Sequence, residues 1–268
     1  MKKIIYIVFL FSLANSFAQN RFYYYVDYKI DTIGNRNQDL LALQIDEVGN
    51  SMFLSDQYIK ADSTNSLSLV QKKYITPNFN TILSFNRKKN KFTIYRKLAS
   101  NFYSYEQNNN IKWTIHNEKK YIGNFIAQKA IGKYGGREWT AWFTNEIPFP
   151  YGPYVFYGLP GLILQISDGK NEFNFSFYKN INLRNNHQIK IENLFDEKII
   201  NIKKTDWVKV QKNNYDNPIA EVKTQGWKMY HTDGREFSLE EYNNLEKRAR
   251  KNIKLYNNPI ELDEKINY

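Results

Sequence analysis

Apolar and polar positions alternate from the start of the chain proper. Phe22, Tyr24, Val26, Tyr28 and Ile30 fall on one face and Tyr23, Tyr25, Asp27 and Lys29 on the other, the two-residue period of a strand. A second strand runs through Leu41, Leu43 and Ile45, and Val48-Gly49-Asn50 turns it into a third around Phe53. Asp62-Ser-Thr-Asn-Ser66 reads as a polar loop. Ile82 to Phe85 and Phe92 to Tyr95 form a strand pair turned through Lys88-Lys-Asn90. From Trp113 the strands become denser: Trp113 to Ile115, Tyr121-Ile122, Phe125 to Ile131 and Glu138 to Phe143. Gly132-Lys-Tyr-Gly-Gly136 serves as a hairpin loop of about five residues.

Asn145-Glu-Ile-Pro-Phe-Pro-Tyr-Gly-Pro153 cannot be a central strand or a helix, because its three prolines lack donors. Its aromatic neighbours, Phe143 to Phe156, favour a packed crossing over a solvated lid. Gly158-Leu-Pro-Gly-Leu-Ile163 then reads as a shaped corner seating a strand in which Leu162, Leu164 and Ile166 alternate with Ile163, Gln165 and Ser167. Asp168-Gly-Lys-Asn171 turns that strand back into Phe173, Phe175 and Phe177. Late in the chain the pattern becomes helical. Thr205-Asp206 caps a helix over about 205–213, and Ser238-Leu-Glu-Glu241 is a capping box for a second over about 239–252. The whole predicts a mostly β fold: a curved antiparallel sheet or incomplete barrel, with a packed helix, that at 239–252, as the natural plug of its concave side.

The corner hexapeptide, with Gly136-Arg-Glu-Trp-Thr-Ala-Trp-Phe-Thr144, Glu146-Ile-Pro148, Gly152-Pro-Tyr154 and the tail Asn258-Pro-Ile-Glu-Leu262, resembles the GLPGLI family of secreted bacterial proteins. The resemblance implies export and a single domain, and no established activity. A looser similarity of layout to periplasmic lipoprotein carriers transfers no residue.

Residues 1–18 have the three parts of a secretory leader: Lys2 and Lys3, an apolar run from Ile4 to Leu13, and small residues at Ser16 and Ala18. Cleavage is expected after Ala18. That would leave a single β-rich domain at 19–268, located in the periplasm or cell envelope, without a transmembrane segment. The chain has no cysteine, which excludes a lipid-anchored cysteine and a disulfide scaffold. Its formal charge of +11 comes from 38 Lys and Arg against 27 Asp and Glu. Those cations are scattered, so a nucleic-acid partner is not expected.

Chemistry-bearing motifs are sparse. His116, His187 and His231 stand isolated, and no nucleophile elbow, phosphate loop or dinucleotide fingerprint is present. No catalytic residue, metal site or cofactor is therefore expected. The candidate binding residues are Arg137, Trp139, Trp142, Tyr154 and Phe156. Trp139 and Trp142, three apart on a strand, must face opposite sides. One belongs to the core; the other, with Arg137, could be a ligand platform, unless the crossing covers it and Arg137 pairs with Glu146. Gly158, Leu159, Pro160, Gly161, Leu162 and Ile163 are read as structural. The functional expectation is an envelope binding or accessory protein recognising an outer-membrane protein, a peptide or an apolar ligand. The alternatives are a carboxylate-dependent hydrolase and a lipid or lipoprotein carrier.

Overall fold

The computed structural model describes residues 19–67, 75–108, 110–183, 189–195, 198–224 and 226–268, so the expected leader at 1–18 and His187 lie outside the described residues. The strands are β1 (Asn20–Lys29), β2 (Arg36–Ile45), β3 (Ser51–Ser55), β4 (Ile82–Asn86), β5 (Lys91–Leu98), β6 (Asn101–Asn108), β7 (Trp113–Ile122), β8 (Phe125–Tyr134), β9 (Arg137–Thr144), β10 (Leu162–Asp168), β11 (Phe173–Asn182) and β12 (Ile199–Asn201). The helices are α1 (Asp56–Leu67), α2 (Lys204–Asp216), α3 (Ala220–Thr224) and α4 (Leu239–Leu255). All strands join one open sheet in the order β12-β6-β5-β4-β3-β2-β1-β11-β10-β9-β8-β7. Two antiparallel meanders, β1 to β6 and β7 to β11, are thus joined where β11 returns to β1 and sets Phe175 opposite Val26. Among the described strands, only β12 pairs in parallel, on β6.

The sheet curls into a bowl. Gln107 on β6 donates to the Tyr134 hydroxyl on β8, although eight strands separate the two in the sheet order. Phe22, Tyr24, Val26, Phe53, Ile94, Trp139 and Phe175 line its inner face. On the outer face, Tyr58 and Ile59 of α1 and the 189–195 segment cover Tyr23, Ala42, Leu54, Ile82 and Phe102. Both faces of the first meander therefore carry buried side chains. This accounts for Tyr23 on the outer face of β1, whereas Tyr25 on the same face is exposed, its ring 4.9 Å from that of Tyr178.

Several elements differ from their sequence reading. Asp62 to Ser66 is not a loop: it is the end of α1, which buries Tyr58 and Ile59 and carries a Lys60–Asp56 ion pair at i,i+4. β6 and β12 are strands that the alternation does not mark, and β7 is one continuous strand with an irregularity between Ile115 and Lys119. The hairpin loop is Gly135-Gly136 alone, at φ +56° and +74°, because a two-residue turn matching the sheet's twist needs positive φ at both positions. Lys203, without a side-chain bond, caps α2 in place of Thr205. The capping box at Ser238 and Glu241 is formed as read, and α4 extends to Leu255.

α4 does not plug the bowl. It buries no residue, Leu239 is 78% exposed, and Arg250 fastens the helix to the Tyr215 and Asp216 carbonyls of α2. Its apolar stripe is too narrow to compete for the inner face. The crossing and corner from Ile147 to Gly161 fill that space instead, together with Trp207 of α2 and Ile260 of the C-terminal tail.

Candidate functional site

The corner brings the first predicted residues together. Tyr154 and Phe156 lie in the filling segment, and the Phe156 ring packs 4.6 Å from that of Trp139 on β9. All three are at most 2% exposed. Trp139 Nε1 donates to the Tyr134 carbonyl at 3.1 Å. Trp142 faces the outer side, as the spacing requires, with the Lys120 ammonium 4.3 Å from its ring centre. The sequence-derived set is thus split: three core aromatics and one outer indole.

Arg137, at the start of β9, faces inward with its side chain 2% exposed. It does not pair with Glu146, which instead accepts from the Ile126 amide. Its Nη1 reaches Asp168 at 2.9 Å and Glu172 at 2.6 Å, while Nε and Nη2 donate to the Ile260 and Pro259 carbonyls at 2.9 Å. A planar fork can satisfy two carboxylates and two carbonyls at once, which an ammonium cannot. Arg137 thereby ties the β10–β11 hairpin to the C-terminal tail.

The tail continues over the Gly135-Gly136 turn, where Leu262 donates to the Gly135 carbonyl at 2.6 Å and a Cβ on Gly135 would lie 2.9 Å from Glu261 Cα. Past this point it delivers two carboxylates into the bowl. Glu261, wholly buried, accepts from Tyr154 Oη at 2.6 Å and Lys204 Nζ at 2.7 Å. Glu264 accepts from Tyr105 Oη at 2.5 Å and pairs with Arg96 Nη1 at 2.8 Å. Sequence reasoning missed this cluster. Its signal was two acids, Glu261 and Glu264, among the apolar residues Ile260, Leu262 and Ile266 of the tail.

Burial and electrostatics divide the two acids. Burial pushes the Glu264 carboxyl up to about 7, against the Arg96 charge and with help from Glu261. Glu261 is also raised by burial, but Arg96 and Lys204 outweigh that and hold it below the ordinary range. The two acids therefore act on stability in opposite directions. Between its ordinary value of 4.5 and about 7, folded Glu264 keeps a proton that the unfolded chain releases, so its contribution falls as pH rises through that window. Glu261 supports the fold above the ordinary carboxylate range and loses that contribution as pH falls below it. The expected result is that Glu264→Gln flattens the decline in melting temperature between about pH 5 and pH 8. An unchanged slope would show that Glu264 does not titrate there.

Beside this cluster a cavity of about 720 Å³ opens between the ends of β1 and β5, the 78–81 segment, α2 and the tail. Arg96 and Trp207 line it, so it lies against the buried ion pairs. Among the described residues, Arg96 Nε and Trp207 Nε1 are buried without a hydrogen-bond acceptor, an arrangement that costs free energy in an isolated fold.

A family model matches within this framework. The family, described as a protein of unknown function (Porph_ging), matches residues 133–165. The matched segment runs from the β8–β9 turn that seats the tail, through Arg137 and the filling aromatics, to the corner and into β10. No curated protein matches the chain significantly. Among solved structures, PNGF-II in space group P21 aligns with a TM-score of 0.52 at 14% identity, over 72% of this chain and 33% of that one. The C2 form of PNGF-II aligns with a TM-score of 0.49 at 13% identity, over 70% and 32%. The chain thus corresponds to about a third of the length of PNGF-II, and at this identity the P21 likeness concerns the fold alone.

Proposed function

We propose that the mature chain is an exported binding module of the cell envelope, without catalytic activity, that takes its ligand in the cavity beside β1, β5 and α2. One observation carries the reading: a 720 Å³ opening against a rigidly paired polar cluster. A hydrolase using the tail acids is disfavoured, since Glu261 and Glu264 are 0% and 2% exposed and are occupied in holding the tail. A carrier for an apolar chain is disfavoured too, because Phe156, Trp139 and Ile260 occupy the interior that such a chain would need.

Export with cleavage after Ala18 and membership of the GLPGLI family belong to the same proposal. Supporting them is the mutual contact of the segments that carry the resemblance: Gly161 lies against the Thr144 backbone, and Arg137 holds Pro259 and Ile260. The test is a screen of the mature protein against envelope-derived sugars, peptides and lipids by tryptophan emission and melting temperature. A ligand is expected to shift both in wild type and neither in an Asn78→Ala/Asn80→Ala variant. If no class of compound shifts either readout, the binding reading fails.

A further inference from the structure

The sheet ends in two edges of different kinds. β12 is three residues long, whereas β7 runs for ten, from Trp113 to Ile122, and no described strand pairs with its outer edge. In an antiparallel strand alternate residues aim both N–H and C=O away from the paired neighbour, so β7 presents a row of main-chain donors and acceptors. An extended polypeptide is the chemical complement of such a row.

The side chains of β7 specify what kind of strand fits. Lys120 lies over the Trp142 ring and donates to Gln165, and Glu118 pairs with Lys129, which puts both on the outer face of the sheet. Lys112, Thr114 and His116 share that face: with Ile131, Lys133 and Glu138 they border a hollow of about 500 Å³. Glu118 is held by Lys129, and Glu138 stands opposite Lys133 in the β8–β9 ladder. Lys112 has no acidic partner among the described residues, and Lys120 bonds to a neutral carboxamide. This side of the edge therefore carries a surplus of cations. The other side is largely apolar. Trp113 packs 6.3 Å from Phe156, Ile115 stands opposite Ala130, and Tyr121, 75% exposed, stands opposite the exposed Ile126. Lys119, between Ile115 and Tyr121, is the exception.

We propose that β7 is a strand-addition site for a partner chain's extended segment in which acidic and apolar residues alternate. The acids of that segment fall on the outer side, beside Lys112 and Lys120, and its apolar residues fall against Ile115 and Tyr121; cross-strand pairs of both kinds are favourable. A second copy fits poorly, because its own β7 brings the same surplus of cations and the irregularity between Ile115 and Lys119 twists the edge. No residue of β7 lines the cavity beside β1, β5 and α2, so this inference and the binding-module reading stand or fall separately.

Fluorescence anisotropy with labelled ten-residue peptides, matched to the length of β7, tests this. Alternating Glu-Val is expected to bind, and to weaken as salt rises. Its affinity should exceed by at least about tenfold that of alternating Lys-Val, and that of a peptide of the same composition with its glutamates grouped at one end. Methylating alternate peptide nitrogens removes the donors of one edge only, so one of the two possible patterns should abolish binding and the other retain it. Lys112→Glu/Lys120→Glu should exchange the preference for Glu-Val with one for Lys-Val and change the melting temperature little, since both side chains are exposed. Equal binding of Glu-Val and Lys-Val overturns the charge assignment, and equal binding of the grouped peptide overturns the alternation. Parent-like binding of both methylated forms, or of neither, overturns strand addition. If no peptide binds, or if sedimentation shows a dimer that alternating Glu-Val does not dissolve, the edge serves no such partner and the proposal falls.

Discussion

Gly161→Ala and Gly161→Val should each unfold much of the population, with a loss of about 4 kcal/mol or more. A Cβ built on Gly161 would lie 1.9 Å from the Thr144 carbonyl oxygen, 2.6 Å from its carbon and 3.0 Å from Asn145 Cα. These are backbone atoms of the end of β9, so no rotamer change relieves the overlap. The corner would have to move away from β9, and with it the Leu162–Thr144 register and the amide of Leu162, which donates to Ile147. Gly158 provides the contrast. It has φ +100° but open space around it, so Gly158→Ala should lose only backbone strain of about 1–3 kcal/mol. Urea denaturation midpoints separate the cases. A wild-type midpoint for Gly161→Ala would refute the close approach, and equal losses at both glycines would assign the effect to backbone conformation.

Arg137→Met is expected to lose about 3–5 kcal/mol, because it leaves the buried Asp168 without its cation and the half-buried Glu172 with Lys29 alone. Burial alone would raise Glu172, and at present the Arg137 hydrogen bond and charge outweigh it and hold the group below its ordinary range. The same substitution removes the donors to Ile260 and Pro259. Residues 257–268 should then be cut by limited proteolysis well before the sheet is, since their local stability rests on those bonds. Arg137→Lys restores the charge without the fork and should fall between the two. If the tail of Arg137→Met resists protease as wild type does, the Glu261 and Glu264 contacts hold it and Arg137 is only a hairpin clasp.

Much of the architecture was legible because it is local. Alternation of Phe22, Tyr24, Val26 and Tyr28 marks β1, the capping box at Ser238 marks the start of α4, and three prolines in nine residues exclude regular structure at 145–153. Each of these signals is carried by side chains within a turn or two of the backbone they describe. Where they failed, long-range packing overrode them. The polar Asp62 to Ser66 stretch is helical because Tyr58 and Ile59 anchor α1 on the outer face. β10 loses its expected alternation because a bulge between Ile163 and Gln165 lets Leu162, Ile163 and Leu164 all be buried.

By itself, then, the sequence determined the β meander, the shaped corner before β10 and the absence of any compact catalytic motif, since all three depend on neighbours in the chain. It also pointed to Arg137, without its partners. What fills the bowl was decided only in three dimensions. α4, the amphipathic candidate, stays outside, whereas a proline-rich crossing and an acidic tail go in. Their polar groups meet Arg96, Tyr105, Lys204 and Arg137, which stand 57 or more positions from Glu261 or Glu264, or 122 or more from Pro259 and Ile260. Burying a carboxylate costs free energy unless a cation and donors are already waiting, and no pattern along one strand records that they are.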